Sequence, residues 1–246
     1  MKALITGASS GIGFHIAEYL DSLGVKTVVA ARRKDRLDTL AKQLKNECIP
    51  VQADMSDLRS CIGLFEKHRD ADIVVNCAGF GVFGEFEKTP LSRELEMIDV
   101  NIKSLHVLTK LYLKEFETRG SGYILNVSSL ASFSPGPMFS SYYASKSYVT
   151  QLTRAVAFEL KKKKSKVKIS VFCPGSVDTE FNAAAGAKKF STPPLSPEFA
   201  AKYAVDKMFK GKTVIVPGLW PKFLHTASKL LPSYVCMNAV YNSKKS

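Results

Sequence analysis

The amino-acid sequence predicts a single-domain, doubly wound α/β fold: a parallel sheet of about seven strands with helices on both faces. Three observations carry that expectation. Short β-branched runs alternate with longer segments of helical period from one end of the chain to the other. Most of these runs are apolar throughout rather than alternating, as strands buried on both faces are. The first run ends in a glycine-rich turn that opens a helix.

Taken in order, the candidate strands are Ala3 to Thr6, Lys26 to Ala30, Ile49 to Gln52, Ile73 to Asn76, Tyr123 to Val127, Val167 to Cys173 and Thr213 to Val216. Between them, apolar residues recur at helical spacing, as in Ile12, Ile16 and Leu20, or Val149, Thr153, Val156 and Leu160. Thr89-Pro90 and Ser196-Pro197-Glu198 signal helix starts, each an N-cap residue followed by proline at the first helical position. Phe181 to Pro194, rich in Ala, Lys and Pro, has no clear period and reads as a variable loop that lids a site.

The chain has 246 residues, 46% of them hydrophobic and 23% charged, so a disordered or collagen-like chain is excluded and one core can bury most of the apolar surface. No apolar run approaches the ~20 residues that span a bilayer. The start, MKALITGASSGIG, turns to glycine and serine after a few apolar residues, unlike a signal peptide. A cytoplasmic protein is expected. Five cysteines, none closely paired, argue for free thiols and against a disulfide framework or a metal centre.

The net charge of +13 gathers at Arg32, Arg33, Lys34 and Arg36, in the run Lys161 to Lys164 with Lys166 and Lys168, and at Lys244 and Lys245. An anionic cofactor, a membrane surface or nucleic acid could each account for part of it. The lysine run follows a helix, where cations are stabilised by the macrodipole, and reads as a solvated helix end. It has no interleaved aromatics, which weighs against a nucleic-acid partner.

Gly7, Gly11 and Gly13 follow the first strand at the spacing of a dinucleotide-binding, Rossmann-type turn. Such glycines allow a tight turn, close approach of backbone to pyrophosphate, and close packing of helix on strand. Ser9, Ser10 and Ile12 complete a loop whose amides and helix N-terminus suit phosphate. After the second strand, where an acid would bond the ribose of NAD, stand Arg32 and Arg33. An acid would repel a 2′-phosphate, and a guanidinium can fork onto it, so NADP is preferred over NAD. A solvated loop charge is the other reading of the two arginines.

Tyr142 and Lys146 are four residues apart at the start of a helical stretch and so share a face. Ser129 lies just past the fifth strand, where ligands gather in open α/β sheets. Here the sequence closely resembles the short-chain dehydrogenase/reductase family. Thr6 to Gly13 resembles its TGxxxGxG motif, and Asn76-Cys77-Ala78-Gly79 its NNAG motif with Cys77 in place of the second asparagine. Asn101, Ser129, Tyr142 and Lys146 fall at the catalytic positions, and Pro174-Gly175-Ser176-Val177-Asp178-Thr179 resembles the segment beside the nicotinamide. The likeness covers roughly residues 1 to 180.

The resemblance implies roles. Tyr142 is the general acid or base, Ser129 donates to the substrate oxygen, Lys146 holds the nicotinamide ribose, and Asn101 holds a water that relays protons to Lys146. Ser128 is adjacent to Ser129 but one residue off the spacing. Asp54 is implied to bond the adenine, or else acts as a turn or cap acid. Asn76, Ala78 and Gly79 let the cofactor pass, or form a structural turn. Pro174, Gly175 and Val177 flank the nicotinamide, and Thr179 bonds its carboxamide or caps the following segment. The family also implies a homodimer or homotetramer packed through the helices near Ile102 and Tyr142.

Elementary electrostatics sets the condition for this chemistry. A phenol with a pKa near ~10 needs about 4 kcal/mol of preference for its anion to titrate three units lower. An ammonium at ~4 Å supplies about 1 kcal/mol in water and about 4 at an effective dielectric near 20. The expectation is therefore that a partly dry site lets Lys146 acidify Tyr142, with a cationic nicotinamide ring adding to the effect.

Phe80, Phe83, Leu130, Phe133, Met138, Phe139 and Phe181 are candidate substrate walls, suited to an apolar ketone, aldehyde or secondary alcohol. The segment from Leu219 to the C-terminus, apolar and basic and broken by Pro221 and Pro232, reads as a cover for the cleft or a subunit contact, with weak peripheral membrane contact as the second reading. An NADP-dependent oxidoreductase is the function expected. A catalytically silent NADP-binding sensor on the same fold is the alternative, and the intact Ser-Tyr-Lys set argues against it.

Overall fold

The computed structural model describes residues 1–186, 194–218 and 232–245. Its strands are β1 (Lys2–Thr6), β2 (Lys26–Ala31), β3 (Cys48–Gln52), β4 (Ile73–Asn76), β5 (Tyr123–Val127), β6 (Lys168–Phe172) and β7 (Val214–Ile215). They form one parallel sheet in the order β3-β2-β1-β4-β5-β6-β7. The helices are α1 (Gly11–Ser22), α2 (Lys34–Gln43), α3 (Leu58–Lys67), α4 (Leu91–Ile98), α5 (Leu105–Arg119), α6 (Ser140–Lys162), α7 (Phe181–Ala184), α8 (Pro197–Phe209) and α9 (Ser233–Lys245). This is the Rossmann-like doubly wound fold that the strand pattern predicts, with strand ends displaced by one residue at most.

Successive strand residues enter different cores. Ala3 and Ile5 pack with α1, α2 and α8 on one face. Leu4 packs with α3, α5 and the end of α6 on the other. A strand covered on both sides has no solvent face, which is why its sequence shows no polar alternation.

Local signals set the helix boundaries unevenly. Ser196 caps α8 as expected, its hydroxyl accepting from the Phe199 amide at 3.2 Å. The Thr89-Pro90 signal is displaced: α4 begins at Leu91 with Pro90 at the cap position. The Thr89 hydroxyl bonds the Phe86 carbonyl and the Glu94 carboxylate instead of a helix amide. The helix carrying Tyr142 begins earlier than its apolar pattern suggests, at Ser140.

The chain winds outward from β1 to β3 and then crosses to β4, so the sheet order reverses between β1 and β4. Ligands in such sheets bind outside the carboxyl ends of the strands at that switch point. Register aligns Thr6 with Asn76 and Asn76 with Asn126 there. The Asn76 amide donates to Asn126 Oδ1 at 2.8 Å and to Thr109 at 3.2 Å, and the Asn126 amide donates to Thr153 at 2.9 Å. This buried network ties β4 and β5 to α5 and α6 directly beneath the site.

Residues 219–231, nearly half of the apolar C-terminal segment, and 187–193, half of the variable loop, lie outside the described residues. The loop begins as the short helix α7, and the C-terminal segment ends in α9. Among the described residues, no helix is long and apolar enough to cross a membrane.

Candidate active site

A cavity of about 550 Å³ runs along the carboxyl ends of the strands. At one end it is lined by Gly7, Ser9, Ser10, Gly11, Ile12, Arg32, Arg33 and Asp54, and in its middle by Ala78, Gly79, Pro174, Gly175, Val177 and Thr179. At the other end stand Phe80, Ser129, Leu130, Phe139, Tyr142, Lys146 and Phe181.

The glycine turn is shaped by contacts that admit no side chain. Gly7 has φ +70, and a Cβ there would stand 2.7 Å from the Ala78 backbone. Gly13 lies off the cavity wall, and a Cβ on it would stand 2.5 Å from the Gly7 carbonyl oxygen, so this third glycine serves the packing of α1 on β1. Thr6 locks the turn to the β4 loop, its hydroxyl accepting from the Cys77 and Ala78 amides at 3.1 and 3.2 Å. A backbone cradle at a helix N-terminus, open to the cavity, fits a pyrophosphate.

The two arginines are placed differently. Arg33 reaches across to the glycine loop, donating to Ser9 at 3.1 and 3.2 Å and to Ser10 at 2.7 Å. Ser10 stands at the N-cap of α1 but spends its hydroxyl on Arg33 rather than on a helix amide. Arg32 pairs with Glu96 at 2.9 Å. Asp54 turns a carboxylate oxygen onto the Ser56 amide and hydroxyl at 2.9 and 2.8 Å. Burial works against its charge, but those two bonds and the Arg32 guanidinium outweigh it and hold the carboxyl below its usual pKa.

At the inner end, Tyr142 and Lys146 share the cavity-facing side of α6, both of them buried. The Lys146 ammonium lies 5.7 Å from the centre of the Tyr142 ring and donates to the Val127 carbonyl at 3.0 Å. Both serines line the cavity, but their hydroxyls separate them: that of buried Ser128 is bonded to the Lys146 carbonyl and to Thr150, whereas that of Ser129 is bonded to the Tyr142 phenol.

Dryness acts against the expected acidification. Burial pushes the Tyr142 phenol above its ordinary pKa, and the bond from Ser129 offsets only part of that. Burial also pushes Lys146 down, to about 8. The cause is general: removing water penalises both ions before their attraction is counted. Cys77, at the departure from NNAG, is pushed up to about 11 by burial and stays a neutral thiol beside Lys146.

Several candidate residues stand elsewhere than the sequence suggests. Asn76 is committed to the network beneath the sheet and is off the cavity wall. Asn101 is fully buried in a π-helical turn, Asp99–Ser104, between α4 and α5. Its side chain accepts from the Phe80 amide at 3.1 Å and donates to the Phe80 carbonyl at 2.9 Å and to Ser145 at 3.1 Å. It clamps the Gly79–Phe80 loop, and π turns are common where a helix is bent for such a task.

Thr179 lines the cavity, but its hydroxyl is engaged locally: it donates weakly to the Val177 carbonyl and accepts from the Phe181 amide at 3.3 Å, one residue ahead of Glu180 at the N-cap of α7. Of the aromatic wall, Phe83 sits edge-on behind Phe139 with ring centres 5.9 Å apart. Phe133 lines a separate cavity with Pro135 and Tyr143. Met138, with φ +66, is off the wall and accepts from the Gly84 amide through its carbonyl at 2.9 Å. Phe139 instead stacks on Tyr142, with ring centres 4.6 Å apart, in space that Gly81 leaves open.

Ala31, Met55, Tyr143, Glu180 and Ala184 also line the cavity. No motif marks them. Only their nearness in sequence to Arg32, Tyr142 and Thr179 could have suggested them.

Comparison with known proteins agrees with the fold. The family described as short chain dehydrogenase matches residues 1–189. An uncharacterised oxidoreductase of Staphylococcus haemolyticus is 36% identical over 182 residues, which is 72% of this chain and 78% of that protein. Among solved structures, a short-chain dehydrogenase from Sphingobium yanoikuyae in complex with NADPH is 27% identical, with a TM-score of 0.83 and coverage of 93% and 94% of the two chains. One from Burkholderia phymatum in complex with NAD is 23% identical, with a TM-score of 0.82 over 93% and 92%, and shares the fold. The glycine turn, the parallel sheet and the match over most of its length make this chain a member of the short-chain dehydrogenase family of oxidoreductases.

Proposed function

We propose that this protein is an NADP-dependent oxidoreductase acting on an apolar ketone or aldehyde, or on the corresponding secondary alcohol. The observation that carries the reading is one continuous cavity with Arg33 at one end and the Ser129-Tyr142-Lys146 group at the other. A pyrophosphate suits the cradle of Gly7 to Ile12, and a 2′-phosphate suits Arg33 with the Ser9 and Ser10 hydroxyls. Arg32 stands near enough to add charge.

Bound there, a nicotinamide supplies the hydride in its reduced form and, when oxidised, a cationic ring that favours the phenolate. Tyr142 gives its hydroxyl proton to the developing alkoxide, and Ser129 donates to the same oxygen as its charge grows. Lys146 stands by the phenol and holds the ribose side of the site. Asn101 fixes the loop at Gly79 and Phe80 against which the nicotinamide would rest. Phe80, Leu130, Phe139 and Phe181 form an apolar wall without a charged side chain, which favours an uncharged substrate.

The chain is read as one domain. Self-association through α5 and α6 is supported by Tyr148 and Phe158, exposed on the outward side of α6. A screen of NADPH oxidation against aliphatic, aromatic and steroidal carbonyls, run beside the Tyr142→Phe variant, tests the assignment. Turnover of an apolar carbonyl by the wild type alone is the expected result. Equal rates from the two proteins would remove Tyr142 from the proton-donating role.

A further inference from the structure

Arg33, the guanidinium that suits a 2′-phosphate, already holds an anion from the protein itself, shared with its neighbour Arg36. Glu180 reaches back across the mouth of the cavity, with one carboxylate oxygen 2.9 Å from Arg33 and the other 2.6 Å from Arg36. Arg33 donates on its remaining sides to Ser9 and Ser10, so the guanidinium is fully engaged. The two arginines hold the Glu180 carboxyl below its usual pKa, so it is charged throughout the neutral range.

Glu180 is also joined to the catalytic end of the cavity. The next residue, Phe181, begins α7 and places its ring 5.3 Å from that of Tyr142. The same segment is pinned by the Phe83 amide, which donates to the Ala185 carbonyl at 3.1 Å. On its other side, Thr179 packs over the glycine turn, with its methyl 3.0 Å from where a Gly11 Cβ would stand. Glu180 is therefore the link between the arginine pair and the short helix that covers the phenol.

We infer that Glu180 is an internal stand-in for the 2′-phosphate: a clasp that NADP(H) must displace from Arg33 and Arg36, loosening the 180–186 segment over Tyr142 as it does so. The inference rests on the NADP reading above. Charge explains why the exchange runs in that direction. A carboxylate offers one negative charge, whereas a phosphate monoester carries nearly two and three acceptor oxygens. The clasp is also exposed, with Glu180 at 54% and the arginines at 40% and 43%, and exposed pairs are individually weak. NADH brings no such group, so it binds without opening the clasp.

The test uses 2′,5′-ADP and 5′-ADP as probes of the adenosine end, titrated calorimetrically into the full-length wild type and the Glu180→Gln variant. Glutamine keeps the size of the side chain and removes the competing charge. Expected is 2′,5′-ADP binding roughly three- to tenfold tighter to the variant, as the loss of two exposed pairs implies, with 5′-ADP unchanged. Wild type preferring 2′,5′-ADP, with the variant unchanged or weaker, would overturn the clasp and leave the NADP reading standing. Equal binding of the two probes to the wild type would overturn both.

Hydrogen exchange reads the second half of the inference. Addition of 2′,5′-ADP to the wild type should speed exchange at the Phe83, Ala184 and Ala185 amides, while 5′-ADP should not. Identical exchange with either probe would show that displacement of Glu180 does not reach the segment over Tyr142.

Discussion

The Lys146 ammonium lies 5.7 Å from the centre of the Tyr142 ring, one helical turn away on α6, and donates to the Val127 carbonyl. A unit charge roughly 4–6 Å from a phenolate contributes about 3–4 kcal/mol at an effective dielectric near 20. Burying each ion costs several kcal/mol. The protein alone therefore keeps the phenol protonated, and the lysine, lowered to about 8, stays charged at neutral pH but loses its charge just above it. That is the resting state suited to an acid that must not release its proton before a carbonyl is in place.

Tyr142→Phe removes the transferable proton and nothing else from the wall. Turnover in either direction should fall by about a thousandfold, within the range of a lost general acid. NADPH affinity measured by fluorescence titration should stay within about threefold of wild type, because the ring and its stacking on Phe139 are kept.

Arg33→Ala strips the one guanidinium that is braced against both Ser9 and Ser10. NADPH should bind roughly ten- to a hundredfold more weakly, as expected for lost charge-assisted bonds, with NADH little changed. Arg32→Ala should have the smaller effect, because its guanidinium pairs with Glu96 at the rim. Parallel losses for the two cofactors would refute the 2′-phosphate assignment.

The Lys146 pKa of about 8, pushed down by burial, gives a signed pH dependence. Reduction consumes a proton, so its rate should fall as pH rises through about 8, while alcohol oxidation should rise. Between about 8 and the ordinary lysine value of 10.5, the unfolded chain binds the proton that the folded one has lost. Through this group stability rises with pH across that window and is reduced below it. Titration of the lysine 13Cε resonances should find one lysine near 8, absent from Lys146→Met.

Gly79→Ala tests the clamp formed by Asn101. A Cβ there would stand 2.9 Å from Asn101 Oδ1 and 3.3 Å from Lys146 Nζ. Overpacking of this kind costs about 1–3 kcal/mol. The melting temperature should drop modestly, while kcat falls more steeply than stability because the Phe80 loop and Lys146 are both displaced. An unchanged kcat would show that the loop position does not matter to the chemistry.

Much of the fold could be read from the strands, because two-sided burial writes itself into consecutive residues. Ala3, Leu4 and Ile5 must all be apolar when neighbours along the strand face different cores. The Tyr142-Lys146 pair was legible for a similar reason: one turn of one helix brings the two side chains together. Asn76 and Asn101 carry the same motif marks, yet their amides are spent on Asn126 and on the Phe80 backbone rather than on the cavity. A motif fixes which residue stands at a position, not which partner its side chain meets.

The chain by itself determined what depends on near neighbours: the parallel sheet, the glycine turn, the order of the motifs and the shared face of Tyr142 and Lys146. Folding alone decided what depends on distant ones. Glu180 and Arg33 meet across 147 positions of sequence, Ser129 rather than Ser128 faces the phenol, and Phe133 turns into a different cavity from Phe139. It also decided the sign of the Tyr142 shift. Solvent exclusion is a property of the assembled cavity, and its penalty on a buried ion exceeds what one ammonium on the next helical turn returns.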